Sequence, residues 1–92
     1  MITSYIDSDA ILIMPRALRY RNYGVYVFEE RGQPHHLPHA HVLLRGRRVA
    51  SFAILTLTLL FEVETLPAGL IEEIQQKQQI ILDIWVELNG ND

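Results

Sequence analysis

Apolar and polar positions alternate through the first two thirds of the chain and then switch to a helical period, so a sheet-forming part precedes a helix-forming part. Tyr23–Glu30, YGVYVFEE, is rich in β-branched and aromatic residues and predicts a strand. Gly32, Pro34 and Pro38 mark Arg31–Pro38 as an irregular loop. His39–Leu44 predicts a second strand and Arg47–Ile54 a third. Arg45-Gly46 between them predicts a tight turn, because glycine accepts the positive φ of a two-residue hairpin loop. The apolar side of the third strand is even-numbered (Ala50, Phe52, Ile54). Beyond it the apolar side is odd-numbered: Leu55, Leu57, Leu59, Phe61 and Val63. Strand side chains alternate with period two, so this slip in phase requires a bulge or a turn near Leu55–Thr58. A fourth strand over about Leu59–Glu64 follows.

From Leu66-Pro67 onward the period changes. Leu70, Ile71, Ile74, Gln78, Ile81, Ile84, Trp85 and Leu88 follow helical spacing, opposite a polar face of Glu72, Glu73, Gln76, Gln79, Asp83 and Glu87. Thr65 is a candidate cap, Pro67 suits a first turn, and Asn89-Gly90 is a stop signal. One helix of about 22 residues spans roughly 33 Å and must bury its stripe on one face of the sheet. Trp85 sits on that stripe and reads as a core or dimer contact. Upstream, Ile11–Met14 is a short candidate strand that Pro15 ends. The fold class expected is α+β, an antiparallel sheet of about four strands, built of hairpins, packed on one long C-terminal helix. Residues 14–92 form a single domain behind an extension, 1–13.

Composition narrows the function classes. The chain has 92 residues, 49% of them hydrophobic and 21% charged, which excludes a disordered chain and suits one core. It contains no cysteine, so disulfides, thiolate metal sites and a cysteine nucleophile are excluded. The first 14 residues carry Asp7 and Asp9 and no basic residue, unlike a secretory leader. The most apolar window, Ala53–Phe61, is broken by Thr56 and Thr58 and is far shorter than the ~20 residues of a membrane span. The reading is a cytoplasmic protein that makes no use of a membrane. Net charge is −3, but all seven arginines lie at or before Arg48 and most acids lie after it. The basic half can present a local positive surface to RNA, or its arginines can be solvated strand edges. Tyr20, Tyr23 and Tyr26 interleave with Arg19 and Arg21, a pattern shared by RNA-stacking surfaces and by ordinary half-buried strands.

All four histidines fall in one stretch, HHLPHAH. On a strand, His39 and His41 share a face about 7 Å apart along the backbone, and His35 and His36 lie on the loop before them. Three chemistries remain open. His35, His39 and His41 can ligate a divalent metal such as zinc. His39 and His41, assisted by His35, can act as acid and base on a phosphodiester, with Arg45, Arg47 and Arg48 binding phosphate. The imidazoles can instead hold the loop through backbone hydrogen bonds. Glycine-rich phosphate loops, paired catalytic carboxylates and a nucleophile elbow are missing from the sequence.

From Met14-Pro15 to Gly90 the chain resembles a small bacterial family of unknown function. The likeness is carried by Tyr23-Gly24-Val25, by the pattern His-x-x-Pro-His-x-His-Val at His35, Pro38, His39, His41 and Val42, by Leu66-Pro67, and by Trp85 near the end of the helix. Ala40 stands where the family often has Phe, the family's glycine near the second hairpin turn is missing, and the extension 1–13 is unusual. Genes of that family often neighbour a second small family, as in toxin–antitoxin pairs. The resemblance therefore implies a toxin-antitoxin component with a neighbour-encoded protein partner, and it brings no established catalytic residues. Strand edges separately favour a homodimer or a companion chain.

Overall fold

In the computed structural model, which describes residues 15–28 and 37–90, the chain forms five strands and then two helices. The strands are β1 Arg16–Tyr20, β2 Tyr23–Tyr26, β3 His39–Leu44, β4 Arg47–Ala53 and β5 Leu59–Glu62, and they pair in chain order as one antiparallel meander. The helices are α1, Ala68–Gln76, and α2, Gln78–Asn89. The α+β class and the C-terminal helix agree with the sequence reading. The sheet has five strands where about four were expected, and the helical segment is two helices where one was expected.

The additional strand is β1. Its sequence, RALRY, carries two arginines, and charged residues are how edge strands discourage pairing with other chains. Only Leu18 of β1 is buried, so the strand lacks the apolar alternation that identifies a central one. The candidate strand at Ile11–Met14 lies outside the described residues, as do Glu29 and Glu30 of the predicted Tyr23–Glu30 strand and most of the loop after it.

β3 has the predicted bounds, and the turn after it is a two-residue loop with positive φ at both Arg45 (53°) and Gly46 (83°). The phase slip resolves as a turn. The Leu57 N–H donates to the Ala53 carbonyl (2.7 Å), the Ala53 N–H donates to the Thr58 carbonyl (2.8 Å), and Leu57 takes a φ of 62°. β5 is the second edge strand. Its odd-numbered apolar residues are not a core face: Leu59 is 43% exposed and Phe61 42%.

The helix break falls at Lys77, whose φ and ψ of −106° and 18° leave helical geometry. No glycine or proline announces it. Gln78, expected on the apolar stripe, instead donates through Nε2 to the Ile54 carbonyl (2.6 Å) and the Leu55 carbonyl (3.2 Å), tying the break to the β4–β5 turn. Thr65 is not the cap of α1; Pro67 occupies that position and no side chain caps it. Gly90 ends α2 as expected, with φ 79° and its N–H on the Val86 carbonyl (2.7 Å).

One face of the sheet packs on the helices. Val25, Ala40, Val42, Ala50 and Phe52 meet Leu70, Ile74, Ile81 and Trp85 in one buried cluster. Trp85 belongs to this core. Ile54, Leu70 and Ile81 are fully buried, each contributing about 1.5–3 kcal/mol from apolar transfer. No helix or strand of the described residues covers the other face. No described helix is long and apolar enough to cross a membrane.

Candidate functional site

Register decides what the helix-free face carries. Cross-strand partners share a face, and because Ala40 and Val42 point into the core, His39, His41 and Leu43 point away. One row across the sheet reads Arg16, Tyr26, His41, Ser51, Phe61. The next reads Arg19, Gly24, Leu43, Arg48. Two imidazoles, aromatic rings and three arginines are thus presented on one surface.

The histidines are not equivalent. Their ring centroids lie 5.2 Å apart in an edge-to-face arrangement. His39 is half-buried, and its Nδ1 lies 2.9 Å from the Leu37 carbonyl. A carbonyl only accepts, so Nδ1 carries the proton in this contact. His41 is 7% exposed. The Phe28 ring packs on it at 4.3 Å between centroids. Burial, then the positive charges of His39 and Arg48, lowers its pKa from 6.5 to about 4, so it is neutral at pH 7.

The predicted phosphate-binding arginines separate. Arg48 joins the histidine face, and its guanidinium lies over the Phe61 ring, 5.0 Å from the centroid. Arg47 pairs with Leu44, which packs toward the core, so it projects from the opposite side of the sheet. Arg45 occupies the turn. His35 and His36 lie outside the described residues. Among the described residues, no three His, Asp or Glu side chains are grouped as a metal site requires.

Sequence reasoning overlooked Arg16, Phe28 and Phe61 as members of this face. Arg19 and Tyr26 stood in the basic-aromatic pattern, but without a partner register nothing placed them beside the histidines. Tyr20 and Tyr23 of the same pattern pack against the core instead. Phe28 is held from behind, because Asn89 at the end of α2 donates through Nδ2 to its carbonyl (3.2 Å).

No family model, curated protein or solved structure matches this chain.

Proposed function

We propose that the protein binds RNA across the helix-free face of its sheet. The carrying observation is the coexistence on that face of aromatic rings with arginines that no described carboxylate neutralises: Tyr26 and Phe61 beside Arg16, Arg19 and Arg48. Rings on a sheet surface stack on unpaired bases, and guanidinium groups fork onto phosphates. None of the described acidic residues lies on β1 to β4, and Glu62 of β5 pairs with Ala50, a core-facing position, so net negative charge does not prevent a local positive field.

The histidine pair adds a reaction to this reading. At neutral pH His41 is uncharged and can only accept a proton in phosphodiester cleavage. A pKa of about 4 is far from the neutral value that serves a general base best, so binding carries the function and any cleavage is slow. Fluorescence anisotropy with a labelled single-stranded RNA tests the binding. Affinity should fall steeply as salt rises and fall again in Tyr26→Ala and Arg48→Ala. No binding at low salt would overturn the reading.

A second reading is supported by the same pair. Metal-ligating histidines donate their other ring N–H to a carbonyl or carboxylate, as His39 does to Leu37. A ligand must also be neutral, as His41 is. The two imidazoles supply half of a tetrahedral zinc site, and His35 is the natural third ligand. Metal analysis of the purified protein, and melting with and without chelator, separates this reading from RNA binding alone.

A further inference from the structure

The two arginine-bearing turns lie at the same end of the sheet and are joined. The Arg45 N–H donates to the Asn22 carbonyl at 3.3 Å. Between them is a concave site of about 310 Å³, lined by Arg16, Arg19, Arg21 and Arg45 over Gly24 and Tyr26. The volume falls at the small end of the ~300–1,000 Å³ range of ligand sites and exceeds what a bare phosphate fills. We propose that this cavity binds a phosphate monoester, carried either on the end of an RNA strand or on a free nucleotide.

Three features build the site. Arg19 is oriented, because its Nε donates to the Arg21 carbonyl at 3.2 Å, leaving both terminal amino groups for a bidentate contact. Arg21 and Arg45 stand in the left-handed region, with φ of 55° and 53°. Glycine, asparagine or aspartate fills such turn positions at lower cost; Arg45 lines the rim of the cavity, while the Arg21 guanidinium lies over the Tyr20 ring, 5.2 Å from its centroid. Gly24 admits the Tyr26 ring: a Cβ there would lie 2.6 Å from Tyr26 Cε1. The ring therefore lies along the backbone as a flat floor on which a base or ribose can rest.

Charge selects the ligand class. None of the guanidinium groups of Arg16, Arg19 and Arg45 has a described carboxylate within salt-bridge distance. The charges of Arg16, Arg19 and Arg45 around one concavity match a dianion with three acceptor oxygens better than a diester, which carries one charge and has two of its oxygens substituted. The strand-end form of this proposal rests on the RNA-binding reading; the nucleotide form does not.

Calorimetric titration of the whole protein at low salt, with adenosine monophosphate, adenosine, and one RNA oligonucleotide bearing phosphate or hydroxyl ends, tests it. The nucleotide should bind at least about tenfold more tightly than the nucleoside, from its charge-assisted hydrogen bonds. That preference should collapse in Arg19→Gln and in Arg45→Gly. The second variant relieves the turn and so keeps the fold, which thermal melting verifies. A matching preference for phosphate-ended RNA supports the strand-end form. Equal binding of both RNAs, with the nucleotide preference intact, supports the free-nucleotide form. If the nucleotide binds while neither RNA does, the cavity stands and the RNA-binding reading fails. Equal affinity for nucleotide and nucleoside overturns the proposal, and so does a preference that survives in both variants.

Discussion

The Phe28 ring lies 4.3 Å from the His41 ring, tilted by 49°, and the Phe28 carbonyl accepts a hydrogen bond from Asn89 Nδ2. The last residue of α2 thus anchors the residue that shields the imidazole. The helix side and the histidine side of the sheet meet through one backbone carbonyl.

This shielding makes stability depend on pH. The His41 pKa of about 4 lies below its unfolded value of 6.5, so the unfolded chain binds the extra proton. Its contribution is therefore fully present above pH 6.5 and is lost as pH falls from 6.5 toward 4. At most about 3 kcal/mol is at stake. Urea unfolding at pH 4.5, 5.5 and 7.5, with His41→Asn as the reference, checks it. The difference in stability between wild type and variant should shrink toward low pH; a constant difference contradicts the account.

Gly69 is an exception to a helix rule. Alanine normally exceeds glycine by about 1 kcal/mol in a helix interior. Here a Cβ would lie 2.7 Å from Tyr20 Cζ, because the tyrosine of β1 packs into the notch that glycine leaves on α1. Gly69→Ala should therefore destabilise, by about 1–3 kcal/mol from overpacking, and Tyr20→Leu should rescue it. A stabilised Gly69→Ala variant in chemical denaturation would show that the notch is unnecessary.

Most of the sheet was legible in the sequence, and the reasons are local. Alternation defined β3, glycine at position 46 defined the hairpin, and the phase slip at Leu55–Thr58 demanded a turn even though no glycine or proline marks it. β1 was hidden because an edge strand needs few apolar residues. The break at Lys77 was hidden because its cause is a contact between Gln78 and the Ile54 and Leu55 carbonyls, distant in sequence. The histidine pair on one face was legible from spacing. Its union with Arg16, Tyr26 and Phe61 required the register of five strands, which no single segment encodes.

Adjacent arginines test that register. Arg48 lies over Phe61 on the helix-free face, and Arg47 projects from the opposite side. In RNA titrations, Arg48→Ala should weaken binding by about tenfold and reduce the salt slope by about one phosphate contact. Arg47→Ala should cost markedly less. Equal losses would mean that charge alone, with no defined face, drives association.

Metal removal distinguishes the two uses of the histidines. If zinc is bound through His39 and His41, a chelator should lower the melting temperature of wild type and leave His39→Ala unmoved, since binding to the native state alone stabilises it. A wild-type melting temperature indifferent to both zinc and chelator rules out the metal reading.

Amide chemical-shift mapping during titration with a single-stranded RNA tests the central claim most directly. The account predicts the largest shifts at Tyr26, His39, His41, Leu43, Arg48 and Phe61, with Ile74, Ile81 and Leu88 of the helices unmoved. Shifts concentrated on α1 and α2, or no shifts at low salt, would contradict it.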